Sequence, residues 1–409
     1  MNVHRARKID YWIGVPLCFA LTALRRLGKA LGLGRYGPAA SPQNLLFIEL
    51  SEMGSAVIAA PMLRKAAERY PQANLHFLVF EEIADSVRIL GIIPDANVIT
   101  IRSKSAWSVI WTGLWAVRAL RQRGIDTAID LELFSRVTAI LGYLSGARRR
   151  VGFDRFHSEG CYRGNLLTHR VAYNPHQHIA LNFFALLFAL DAPADEVPML
   201  KRALPLELAR PVRLAVSEER KRAIRQKLQA LNPSFSATRQ LVLLNPVGGD
   251  LLPLRRWPLR NYCELAQRLL ANPDLQLGIT GTAKEKPAAQ AICEHVEDPR
   301  CLDLTGQTTF RELMDLYSIA GLLITNDSGP AHFTGLTDIK AIVLYGPETP
   351  RLYGSLSPSV VCVTTGFACS PCVSAINHRH SPCADNRCLQ QLSVDAVHQL
   401  ALDLLAGKS

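Results

Sequence analysis

Along residues 44–131 and again along 241–346, apolar residues gather into short unbroken runs separated by longer stretches of helical periodicity. "NLLFIEL" at 44–50, "NLHFLVF", "SVRILG" and "DTAIDL" at 126–131 are the runs of the first region. "LVLLNP" at 241–246, "LQLGITG", "CLDLTG", "LLITND" and "AIVLYG" are those of the second. A half-exposed strand alternates apolar and polar residues, whereas a run apolar at nearly every position suits a parallel sheet covered on both faces. The segments between, such as "PMLRKAAERY", "RNYCELAQRLLAN", "EKPAAQAICEHV" and "FRELMDLYSIAG", supply the covering helices. The pattern predicts an α/β protein of two doubly wound, Rossmann-like domains in series, with ligands bound in a cleft beyond the carboxyl ends of the strands.

Other segments complete the outline. "SAWSVIWTGLWAVRALRQRG" sets Trp107, Ile110, Trp111 and Leu114 at helical spacing, a stripe expected to face the core. Residues 11–24 are an apolar stretch with Arg5, Arg7 and Lys8 before it and Arg25, Arg26 and Lys29 after it. The stretch is too short for a bilayer span of about 20 residues. Two readings stand: a helix lying in a membrane interface, with Tyr11 and Trp12 at the headgroups, or a helix packed by its apolar face on the protein. No signal-type cleavage site follows the stretch, so cytoplasmic residence is expected. "GLGRYG" at 32–37 satisfies G-x-G-x-x-G, but no strand precedes it and Pro38 follows, so it reads as a linker. The expected domains are a basic N-terminal segment (1–43), a first Rossmann-like domain (44–215), a polar linker (216–240) and a second Rossmann-like domain (241–409).

With 409 residues, 48% of them hydrophobic, the chain can fill two cores. Its formal net charge of +11 implies an anionic partner or surface. The run "ARRRVGF" (147–153) reads as a solvated face, and without aromatic interleaving or a recognition motif nucleic acid is excluded as a partner.

The densest polar group follows a buried run: Asn326, Asp327, Ser328, Gly329, Pro330, Ala331 and His332 in "LLITNDSGPAHFTG". A strand ending there and turning into a helix at Pro330 would aim Ser328, His332 and the amides of Gly329 and Ala331 at an anion such as a diphosphate. "NPVGGDLLPLRRWP" adds Gly248 and Gly249, then Arg255 and Arg256 as cations for a leaving diphosphate. Glu285 in "GITGTAKEK" is placed to accept hydrogen bonds from a ribose or base. Near the C-terminus, Cys369, Cys372, Cys383 and Cys388 carry a C-x-x-C and a wider second pair, with His378 and His380 between them. That pattern fits a structural zinc site or, equally, reduced or redox-paired thiols.

Over roughly residues 44–400 the chain resembles glycosyltransferase family 9, the bacterial ADP-heptose:lipopolysaccharide heptosyltransferases. The resemblance is strongest from Gly306 and Thr308, through 326–332, to Tyr345, Gly346 and Pro347, and in "RRWPLRNYCELAQRL", where Arg255 stands at the family's phosphate-binding lysine. It implies a GT-B fold and metal-independent transfer with inversion, with no cofactor required. It further implies an ADP-activated sugar, ADP-heptose by analogy, on the second domain, with Glu285 and Thr308 among its contacts. A lipid-linked glycan acceptor would sit on the first domain, and the protein peripherally on the cytoplasmic face of the inner membrane. Similar cysteine-bearing segments in the family imply a local structural role for 369–388. One departure stands out: the family's Gly-Asp in the first strand-to-helix turn is Gly54-Ser55 here, and serine is no base at neutral pH. Glu52 in the same turn is the candidate that takes over. The alternatives are a silent nucleotide-sugar-binding homologue and a GT-B epimerase.

Overall fold

Two six-stranded sheets form from the apolar runs, and every strand pairing in them is parallel. The computed structural model describes residues 3–31, 41–133, 135–154, 162–194, 196–248, 253–375 and 381–407. The chain divides into two compact units, Met1–Arg210 and Pro211–Ser409.

In the first unit the strands are β1 (Asn44–Ile48), β2 (Asn74–Phe80), β3 (Val98–Ile101), β4 (Thr127–Asp130), β5 (Arg149–Asp154) and β6 (His169–Ala172), in the order β3-β2-β1-β4-β5-β6. Leu45, Leu46, Phe47 and Ile48 of β1 are all fully buried, as a central strand covered on both faces requires, and each contributes roughly 1.5–3 kcal/mol. The order reverses between β1 and β4, and the crevice beyond a reversal is where doubly wound sheets bind ligands. "SVRILG" is not a strand. Its first residues lie in the short helix Asp85–Arg88, and the chain turns at Gly91, whose φ of 63° favours glycine. The third strand is instead Val98–Ile101.

Three helices of this unit turn out their large apolar side chains. The tryptophan helix Ala106–Gln122 buries Gly113, Ala116, Ala119 and Leu120 and exposes Trp107, Ile110, Trp111, Leu114 and Trp115. The stripe expected in the core is therefore on the surface, because the small residues opposite it allow the closer approach to the body of the unit. At the N-terminus, helices Val3–Trp12 and Gly14–Ala30 behave alike: Gly14, Cys18 and Thr22 face inward. Asp10 fixes the pair by accepting from the backbone N–H groups of Arg136 (2.9 Å) and Val137 (3.0 Å) and pairing with the Arg136 guanidinium (2.9 Å). The run at 147–153 is not simply a solvated face: Arg150 is buried with its Nε donating to the Leu166 carbonyl (2.5 Å), while Arg148 and Arg149 line a cavity at the amino ends of the strands. "GLGRYG" lies outside the described residues.

In the second unit β7 (Gln240–Asn245), β8 (Leu275–Ile279), β9 (Cys301–Asp303), β10 (Leu322–Asn326), β11 (Lys340–Leu344) and β12 (Val360–Val363) run in the order β12-β11-β10-β7-β8-β9, reversing between β7 and β10. The segment expected as a linker contains helix Glu218–Leu231, which belongs to this unit. Its Arg220 and Lys227 pair with Asp315 (2.5 Å) and Glu312 (2.7 Å) of helix Phe310–Ile319. The boundary accordingly falls just before Pro211, ahead of the charged segment.

Candidate functional site

At the first unit's reversal, four carboxylates collect beyond β1 and β4. Glu52 stands at the N-cap of helix Met53–Arg69 with extended backbone, and its side chain does not cap that helix. Its Oε2 instead accepts from the Ser55 hydroxyl at 3.2 Å, so the serine at the expected aspartate position orients the glutamate three residues before it. Glu132, just past β4, accepts from the backbone N–H groups of Leu50 (3.0 Å) and Ser51 (3.1 Å) and from the Ser51 hydroxyl (2.9 Å). Glu49 is buried. Burial first, then the charges of Glu132, Glu52 and Asp130, push its carboxyl well above the usual range, and its hydrogen bond with Glu132 adds to the rise. Burial and then the Glu52 charge raise Glu132 in the same sense. Asp130 accepts from the Thr138 hydroxyl (2.9 Å) and pairs with the buried Arg163, yet burial still outweighs that cation and raises it. A site that holds carboxylates this close favours uptake of a proton.

The second unit arranges its strand ends differently. Arg255 lies between two buried carboxylates: its Nε is 3.2 Å from Asp327 Oδ2, just after β10, and a terminal nitrogen is 3.2 Å from Glu348 Oε2, after β11. Asn326 ties the loop carrying Arg255 to β10, accepting from the Trp257 N–H (2.9 Å) and donating to the Pro246 carbonyl (2.8 Å). Gly248 lies against Asn326 and Ser328, each 3.8 Å from where a Cβ would sit. Gly249 lies outside the described residues. The turn supplies fewer donors than expected: the Ala331 N–H is spent on the Ser328 carbonyl (3.0 Å), and the Ser328 hydroxyl donates to the Asn326 carbonyl (3.2 Å). Gly329 opens the short helix Gly329–Phe333, in which His332 is half-buried.

Glu285 has a local task. Its Oε2 accepts from the Thr282 N–H at 2.6 Å, closing a capping box, and a Cβ at Gly281 would lie only 2.8 Å from that oxygen. Gly306, with φ of 69°, packs against Ala283, and Thr308 follows two positions later, half-buried.

The cysteine segment braces this region. Cys372 and Val373 donate backbone N–H groups to the Pro347 carbonyl (2.9 and 3.1 Å), and Asn386 donates to the carbonyls of Leu254 (3.0 Å) and Arg256 (2.9 Å) on either side of Arg255. Burial and then the neighbouring Cys372, Cys369 and Cys383 push the Cys388 thiol up, and none of the four is in a disulfide. Among the described residues no group of three or more His, Cys, Asp or Glu side chains that could hold a metal ion is found. His378 and His380 lie outside the described residues.

Glu348, Glu49, Asp130 and Glu132 escape the sequence reading. Each sits within or just past an apolar run, where a lone acid looks like a strand-end cap. The signal available was that "LFIEL", "AIDLEL" and "LYGPE" all put acids at carboxyl ends of parallel strands.

The sequence matches the family "Glycosyltransferase family 9 (heptosyltransferase)" over residues 114–381, about two thirds of the chain. It is 32% identical over 169 residues to lipopolysaccharide heptosyltransferase 2 of Salmonella typhimurium, covering 40% of this chain and 46% of that protein. The chain spans about half the length of the first curated relatives it matches. Among solved structures, E. coli ADP-heptose lps heptosyltransferase II superposes with a TM-score of 0.69 at 21% identity, over 90% of this chain and 99% of that one. E. coli heptosyltransferase WaaC with ADP superposes with a TM-score of 0.62 at 19% identity, over 88% of this chain and all of that one. These structures share the two-unit α/β fold of GT-B type, and the chain belongs to glycosyltransferase family 9.

Proposed function

We propose that this protein transfers a sugar, heptose from ADP-heptose, with inversion to a hydroxyl of a lipopolysaccharide-core or other envelope glycan. The observation that carries catalysis, beyond binding, is the carboxylate group at the ends of β1 and β4: a protein that only bound a nucleotide sugar on its second unit would have no use for Glu52, Glu132, Glu49 and Asp130 crowded at an otherwise expensive density.

In this reading the acceptor hydroxyl gives its proton to the Glu52 carboxylate as its oxygen bonds to the anomeric carbon. The bond from that carbon to the diphosphate oxygen breaks, and ADP leaves with the electron pair. Ser55 holds Glu52 in place through its hydroxyl hydrogen bond. Arg255, aimed by Asp327 and Glu348, meets the charge growing on the diphosphate, together with Arg256. Its two acidic partners hold the cation in one place. The names of the relatives and of the solved neighbours, which pair heptosyltransferases with lipopolysaccharide and ADP, support this donor and acceptor class.

Two measurements test it. A thermal-shift series should show stabilisation by ADP above UDP and GDP. Incubation with ADP-heptose should release ADP only when a heptose-deficient lipopolysaccharide core is added. Release of ADP without acceptor, or no release with it, overturns the transferase assignment.

A further inference from the structure

We infer that the first unit docks on an anionic lipid bilayer through one composite surface, formed by the N-terminal helices Val3–Trp12 and Gly14–Ala30 and by the tryptophan helix Ala106–Gln122. Both sets pack on the same helix, Arg136–Leu144, which brings them to one part of the first unit. Their most buried positions are mainly small or polar, Gly113, Ala116 and Ala119 on one helix and Gly14, Cys18 and Thr22 on another, and their outward sides are large and apolar. Trp12 is 73% exposed, Phe19 67%, Trp107 72% and Trp111 69%. Four of the chain's five tryptophans stand on this surface, the fifth being the buried Trp257. Soluble proteins rarely leave so many large apolar side chains bare on neighbouring helices, and tryptophan is favoured at the level of lipid headgroups.

Charge selects the occupant. Helices Gly14–Ala30 and Ala106–Gln122 contain no Asp or Glu, and the one acid of the first helix, Asp10, is turned inward onto Arg136. Exposed Lys8, Arg26 and Lys29 rim the N-terminal part, and Lys104, Arg118 and Arg121 rim the tryptophan helix. Cations outnumber acids around this apolar face, the nearby Glu81 and Glu82 being taken up by Arg102 and Ser103; that balance matches a bilayer with anionic headgroups, whereas a second copy of the same face would bring like charges together. Each 17-residue helix is about 25 Å long, and no described helix is long and apolar enough to cross a membrane, so the surface lies on the bilayer instead of passing through it. This placement stands independently of the transferase assignment.

The test uses the full chain and vesicles of phosphatidylethanolamine with phosphatidylglycerol whose acyl chains are brominated. Most of the tryptophan emission should be quenched, and binding to phosphatidylcholine vesicles should be weaker by about tenfold. The double variant Trp111→Glu/Trp115→Glu should lose vesicle binding by about tenfold or more while keeping the wild-type melting curve. Should that variant melt early, Phe19→Glu on the other helix carries the same expectation. Unquenched emission, equal binding to both vesicle types, or a concentration-dependent dimer abolished by these variants would overturn the inference, the last by making a second copy the occupant.

Discussion

The carboxyl ends of the two sheets invite direct comparison, because the same topology collects polar groups at both reversals and charges them differently. Beyond β1 and β4, burial raises Glu49, Glu132 and Asp130, repulsion between carboxylates adds to the rise of the first two, and Arg163 pairs with the last of them. Beyond β10 and β11, two buried carboxylates close on Arg255. The first arrangement is poised to take up a proton; the second holds a cation in one place. Parallel strands ending at a switch point account for where these groups lie, and the side chains alone decide whether the end accepts protons or steadies anions.

Substitutions separate the two arrangements. Arg255→Ala strands Asp327 and Glu348 together and should cost the second unit about 3–5 kcal/mol, read as a lower denaturant midpoint. Arg163→Ala strands only Asp130, which already favours its proton, and should cost the first unit less than that in the same assay. Glu49→Gln should change stability little at low pH. The folded state raises Glu49 above its ordinary value of 4.5, so above that pH the unfolded chain gives up a proton that the folded one keeps, and stability falls as pH rises. Melting curves taken upward from pH 4.5 should therefore decline in the wild type and decline less in Glu49→Gln. Smallest is the capping box: Glu285→Ala should cost about 1 kcal/mol, whereas Glu285→Gln, able to keep the box, should cost almost nothing. If Glu285→Gln nonetheless weakens ADP binding tenfold in the thermal-shift series, Glu285 contacts nucleotide as well.

The architecture was legible because central parallel strands leave a mark no other element leaves: "NLLFIEL" and "LLITND" have no polar face. "SVRILG" failed because four to six apolar residues carry too little periodicity to separate a strand from a turn of helix. The tryptophan stripe failed for a different reason. Periodicity identifies a face but not which face is inward, and Gly113, Ala116 and Ala119 on the opposite side were the better guide to close packing. At the site, Arg255, Asp327 and Asn326 could be named from one motif, but their partner Glu348 lies 93 positions from Arg255 and meets it only in the fold. Ser55 shows the reverse: its identity argued against catalysis, while its hydrogen bond to Glu52 shows how the turn keeps a carboxylate in place.

The most direct measurement is acceptor-dependent ADP release by Glu52→Gln alongside its thermal shift with ADP. A fall of about 10²–10⁴-fold in turnover with the ADP shift unchanged is predicted, because only the proton acceptor of the first unit has been removed. Turnover within a few-fold of wild type would contradict the assignment of Glu52 as the base.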